Sequence, residues 1–113
     1  MVDINKEVKM CILKDYYGNL LTDRQKEIFS KFWEEDWSLF EIAEELNISR
    51  QAVHDSLIKT EKLLTDMEEK CGFVKRDENL KNNVQTLMSK IDSMTQSEIK
   101  ENLKNIINNL QGE

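Results

Sequence analysis

Proline is absent from this 113-residue chain, and glycine occurs only at Gly18, Gly72 and Gly112. That excludes glycine-rich phosphate loops and most all-β folds, whose tight turns draw on glycine. No apolar stretch approaches the roughly 18–20 residues of a membrane-spanning helix. The opening residues, MVDINKEVKM, are charged and lack the apolar core of a signal peptide, so the expected location is cytoplasmic. Histidine occurs once, at His54, and cysteine twice, at Cys11 and Cys71. Two isolated cysteines in such a chain read as small buried hydrophobes. What is present is 39% hydrophobic and 34% charged residues, enough for one core, or one core with an appendage. An all-α fold is the expectation.

The same scarcities argue against catalysis. His54 and Asp55 are adjacent in sequence and diverge by about 100° around a helix, and nothing marks a nucleophile for them. Glu34-Glu35, Glu44-Glu45 and Glu68-Glu69 are helical neighbours that read as solvated faces, not acid/base or metal pairs. No metal site, cofactor or catalytic residue is expected.

Helical periodicity sets the organisation. Ile4, Val8, Cys11 or Ile12, and Tyr16 recur at helical spacing over Asp3–Tyr17. Gly18 fits the left-handed position past a helix end. A second helix opens at Thr22 or Asp23 with a stripe of Gln25, Ile28 and Phe32, flanked by Phe29 and Trp33. Glu34, Glu35 and Asp36 place unfavourable charge at its C-terminus, which predicts fraying. The aromatic set Phe29, Phe32, Trp33, Trp37 and Phe40 reads as core, with Trp37 the one candidate for an exposed anchor. Ser38 and Glu41 have capping-box spacing, and Ile42, Ala43, Leu46 and either Leu39 or Phe40 follow as an inner face. Asn47 suits a positive φ, and Ser49 caps a helix whose stripe is Val53, Leu57, Thr60, Leu64, Met67 and Cys71. Gly72 ends that helix, with Phe73 placed to close over its last turn.

Beyond a short linker at 73–79 the pattern narrows. Leu80, Val84, Leu87, Ile91 and Met94 step by fours and threes, and so do Ile99, Leu103, Ile106 and Leu110 after a Thr95–Glu98 capping box. Two seams of this kind read as a helical hairpin or one broken helix. They pack on the N-terminal core or on a second chain, with Leu80, Val84, Leu87 and Ile91 as the expected homodimer contacts. The expected division is a four-helix domain over 1–75 and a helical extension over 76–113.

The most informative segment is 38–64, SLFEIAEELNISRQAVHDSLIKTEKLL. Ala43 supplies a small residue at the crossing, Asn47 the left-handed turn, and Val53 the apolar lock on the second helix. Together these predict a helix-turn-helix, whose second helix enters the DNA major groove. Its outward residues would be Ser49, Arg50, Gln51, His54 and Asp55, with Lys59 and Lys62 one and two turns on. Arg50 suits guanine, Gln51 adenine, and His54 a base or phosphate, whereas Asp55 accepts only from cytosine and repels phosphate. Charge pulls the other way. Residues 38–63 hold three cations (Arg50, Lys59, Lys62) against five anions (Glu41, Glu44, Glu45, Asp55, Glu61), whereas a strong binder makes roughly 6–10 phosphate contacts. Either a dimer doubles the contacts or the motif faces a protein.

Residues 21–64, from LTDRQKEIF through EIAEELNISRQAV to TEKLL, resemble region 4 of bacterial sigma factors, the part that reads promoter −35 elements. The phrases YYGNLLTDRQ and EIAEELNISRQAVHDSLIKTEKLL more closely resemble the YlxM-like family of small bacterial helix-turn-helix proteins, over about residues 8–75. Genes of that family lie beside those of the signal recognition particle GTPases. The resemblance implies a sigma-region-4-like fold in the winged-helix-like superfamily and a regulatory role linked to the signal recognition particle pathway. Its implied partners are duplex DNA, or the particle and its GTPases for an adaptor that does not bind DNA. Where region 4 is usually rich in Arg, this chain has Ala52, His54 and Asp55.

Overall fold

The computed structural model describes residues 4–112 and the side chains of residues 5–110. Among the described residues every regular element is helical: α1 (Ile4–Tyr17), α2 (Asp23–Phe29), α3 (Leu39–Leu46), α4 (Arg50–Cys71), α5 (Phe73–Lys90) and α6 (Gln96–Gly112). Short 3₁₀ turns occupy Gly18–Leu20 and Ile91–Ser93, and a wide π turn, Ser30–Glu34, extends α2. The chain divides into two compact units, Met1–Gly72 and Phe73–Glu113.

In the first unit α4 is the common partner, packed by α1, α2 and α3. Its expected stripe holds for four turns: Val53, Leu57, Thr60 and Leu64 are buried, Met67 is half-buried and Cys71 is exposed. Ile28, Phe29 and Trp33 from α2 and its extension, with Ile42 and Ala43 from α3, complete the core. Gln25 and Phe32, expected in the α2 stripe, are only half-buried. Burial of Phe29, Ile28 and Ile42 at the foot of α4 removes them almost wholly from water, worth about 1.5–3 kcal/mol each.

The first helix buries a different row from the expected one. Met10, Leu13 and Tyr17 point inward, while Val8, Ile12 and Tyr16 are exposed and Cys11 is half-buried; Asp3 and the Ile4 side chain lie outside the described residues. Both rows have helical spacing, so polar contacts decide between them. The Tyr17 hydroxyl donates to Glu68 of α4 at 2.6 Å. Lys14 donates to Ser30 and Glu34 at 2.9 and 3.0 Å, and Lys6 pairs with Glu61 at 2.9 Å. Gly18 is not left-handed, because it opens the 3₁₀ turn. Its lack of a side chain matters for space: a Cβ there would meet Lys14 Cγ at 3.2 Å.

Nor does the acidic end of α2 fray. The π turn closes through Glu35 N–H to Ser30 O and Trp37 N–H to Lys31 O, and Asp36 reverses the chain at φ 60°, a conformation Asp tolerates better than most residues. Lys31 lies 4.4 Å from the Trp37 ring centroid, and Trp37 is half-buried, between the two states expected of it. Glu34 is partly desolvated, which opposes its charge, yet hydrogen bonds from Lys14 and Ser30 and the Lys14 ammonium hold its carboxyl below the ordinary value. The Cys11 thiol is pushed up by desolvation and by the carboxylates of Glu34, Glu7 and Asp15, so it is not a poised thiolate.

Gly72 ends α4 in the left-handed conformation at φ 64°, its N–H bonded to Glu68 O at 2.8 Å. Phe73 remains exposed and starts α5, so 73–79 is helix and not a linker. In the second unit α5 and α6 pack on each other as a hairpin, and Thr95 and Glu98 form the expected reciprocal cap. Leu87 is buried, Leu80, Met94, Ile99 and Ile106 are half-buried, and Val84, Ile91, Leu103 and Leu110 stay exposed.

Candidate nucleic-acid interface

The bend between α3 and α4 is built from three local devices. Ser38 Oγ accepts from Glu41 N–H at 3.1 Å and Glu41 accepts from Ser38 N–H at 2.8 Å, closing the first turn of α3. These bonds hold the Glu41 carboxyl below its ordinary value. At the other end Asn47 adopts φ 56°, ψ 47°. Ile48 N–H reaches back to Ala43 O at 3.0 Å and Asn47 N–H to Glu44 O at 3.3 Å, the paired bonds of a Schellman ending. Ser49 Oγ then accepts from Ala52 N–H at 3.0 Å and starts α4. With Ile42, Ala43 and Val53 buried between them, α3 and α4 are fixed as a helix-turn-helix.

Every sequence-expected contact residue is exposed: Ser49, Arg50, Gln51, His54, Lys59 and Lys62. Their chemical freedom differs. The Ser49 hydroxyl is spent on the cap. Gln51 Nε2 donates to Asp55 Oδ1 at 2.9 Å, so one amide N–H is already engaged. Lys62 pairs with Asp66 at 3.1 Å, and His54 Nδ1 lies 3.7 Å from Asp55, too far for a hydrogen bond. Arg50 makes no ion pair among the described residues. Arg50, Gln51 and His54 line one shallow depression with Leu39, so this corner of the motif brings them together; Lys59 and Lys62 lie further along α4.

Two apolar side chains of the motif are exposed, one expected inside and one not singled out by the sequence. Phe40, a candidate for the inner face, is 57% exposed at the first turn of α3, and Ile58 is 49% exposed on the outward side of α4. Ile58 falls between His54 and Gln51 around the helix, two turns further on, so a search of outward positions for apolar residues would have found it. Among the described residues no group of three His, Cys, Asp or Glu is placed to hold a metal ion, and no helix is long and apolar enough to cross a membrane.

A family model described as "Putative helix-turn-helix protein, YlxM / p13 like" (UPF0122) matches residues 4–106. The chain belongs to this family. The match takes in most of the α5–α6 hairpin, well past the residues 8–75 that carried the resemblance. UPF0122 relatives include one from Desulforamulus reducens, 41% identical over 85% of this chain and 82% of its own length. One from Thermoanaerobacter sp. strain X514 is 44% identical over 79% and 76%, and one from Clostridium novyi 36% identical over 92% and 90%. The family's description names a helix-turn-helix, the motif that α3 and α4 form here.

Proposed function

We propose that this chain is a non-catalytic regulator that binds duplex DNA through the N-terminal half of α4 and acts in the signal recognition particle pathway, in the cytoplasm. The observation that carries the reading is the left-handed Asn47, which leaves Arg50, Gln51 and His54 exposed together beside the start of α3. Arg50 is the free fork-shaped donor of the set, suited to guanine O6 and N7. Gln51 offers its side-chain amide and His54 a ring N–H, with Lys59, and Lys62 on release from Asp66, as the candidates for phosphate. The pathway link rests on the resemblance to the YlxM-like family.

A second reading is favoured by the charge of the same surface. Glu41, Glu44, Glu45 and Asp55 are all exposed on α3 and α4, and Phe40 is exposed at the first turn of α3, whereas Ile58 lies in a shallow depression beside Lys6, Lys9 and Met10 of α1. That composition suits a protein adaptor of the particle or its GTPases, with an aromatic anchor in a polar rim.

Fluorescence anisotropy of random-sequence duplex across salt separates the two. DNA binding predicts an affinity falling by about 0.9 in log units per log unit of salt for each phosphate neutralised. On random duplex Arg50→Ala should weaken low-salt binding and reduce the salt slope by about 0.9, one phosphate contact, and Asp55→Asn should tighten binding by removing a carboxylate from the phosphate path. Equally weak low-salt binding by the wild type and Arg50→Ala would refute it. The adaptor reading predicts retention by immobilised GTPase that Phe40→Ser abolishes and Arg50→Ala does not.

A further inference from the structure

The α5–α6 hairpin has two unlike faces. One is a groove between the helices lined by Asn83, Thr86 and Lys90 of α5 and Asn102, Asn105 and Asn109 of α6. Around each helix, residues one turn to the other side of the packed Leu87 and Ile106 are Val84, Met88 and Ile91, and Leu103, Ile107 and Leu110. In an antiparallel pair these two rows emerge on the same side. All six are exposed, Met88 by 66% and Ile107 by 52%. Leu80 and Leu87, expected at a dimer contact, are instead turned into the hairpin itself.

We propose that this Val84–Met88–Ile91 and Leu103–Ile107–Leu110 face is covered by the same face of a second copy, making a two-fold four-helix bundle. Area and charge single out that occupant. Withdrawing the six side chains from water removes on the order of 500 Å² per copy, so ~1,000 Å² for the pair, the lower bound of a specific interface and the size of a weak, micromolar dimer. Residues 73–113 hold six basic and six acidic residues, so two copies meet without net repulsion; residues 1–72 hold ten and sixteen, and carry the whole net charge of −6. A unit with no net charge and helices of 18 and 17 residues can meet its own copy without repulsion, and a self-complementary patch closes on a two-fold axis. Pairing also joins two helix-turn-helix units in one particle, doubling the cations that one copy offers to phosphate.

Sedimentation equilibrium of the full chain tests this. At about 50 μM, a concentration that populates a micromolar dimer, the expected mass is twice 13.4 kDa. Met88→Asp with Ile107→Asp should return it to one chain, with helical circular dichroism unchanged because both side chains are exposed in the single copy. A single-chain mass for the wild type, or a variant that stays double, overturns the proposal. Arg50→Ala serves as the control for the DNA reading: it should leave the mass alone, so the two proposals fail separately.

Discussion

Replacing Asn47 isolates the one backbone conformation on which the helix-turn-helix depends. At φ 56°, ψ 47° the residue sits squarely in the left-handed region. An L residue with a Cβ and no compensating side-chain bond loses roughly 1–2 kcal/mol there, whereas glycine loses nothing sterically. Asn47→Ala should therefore destabilise the first unit by about 1 kcal/mol, and β-branched Asn47→Ile by about 2 kcal/mol. Asn47→Gly should fall within about 0.5 kcal/mol of the wild type, its steric relief offset by a more flexible unfolded chain. At about 4–8 °C per kcal/mol for a domain of this size, the Ala variant should melt several degrees lower. Urea unfolding followed at 222 nm gives the difference directly, and an unchanged slope would show that the surface exposed on unfolding is the same in each variant. The same series read by DNA anisotropy should rank Gly near wild type and Ile last, because the bend aims Arg50. Were Ala as stable as Asn, or Gly as costly as Ala, the steric argument would be wrong.

Two further substitutions test the packing and the caps. Phe29→Ala empties a fully buried ring site beside Trp33 (ring centroids 6.4 Å apart). It should cost about 3–5 kcal/mol, a large part of the stability of a small domain, and lower the urea midpoint accordingly. Glu34, Glu41 and Glu98 all have carboxyls below the ordinary value of 4.5. A depressed folded value means the stabilisation is complete above the unfolded value and lost as pH falls through the folded one. Stability should therefore be level from neutral pH down to about 5 and fall below it. Ser38→Ala should cost about 1 kcal/mol at neutral pH and make the acid limb shallower, which thermal melts between pH 3 and 7 will show. An acid limb as steep as that of the wild type would count against the cap.

The segment 38–72 was legible because its punctuation is local. Ser38 with Glu41, Asn47, Ser49 and Gly72 each specify a cap or a turn through their own backbone chemistry, and each does so in the structure. The rows on α1 were not legible, since Ile4–Val8–Ile12–Tyr16 and Met10–Leu13–Tyr17 have equal claims by spacing. Long-range partners choose between them: Glu68 for Tyr17, and Ser30 and Glu34 for Lys14. The π turn was hidden for a related reason, because three consecutive acidic residues signal a poor helix end only until Lys14 approaches from α1. At the candidate interface the exposed positions were readable from helical phase. The commitment of Gln51 to Asp55 and of Lys62 to Asp66 was not, though i,i+4 spacing allows both.

The wide turn at Ser30–Glu34 fits an extra residue into what would otherwise be a regular coil, and so acts as a phase adjuster between the core and the motif. Shortening it by one residue would leave Ser38, Asn47 and Ser49 with their local bonds, yet rotate everything after it by about 100° about the α2 axis. The buried row of α4 would then swing out of register with α1 and α2, which pack against it. A chain altered there can keep each signature of the motif in its spelling and still present the wrong side of α4 to the outside.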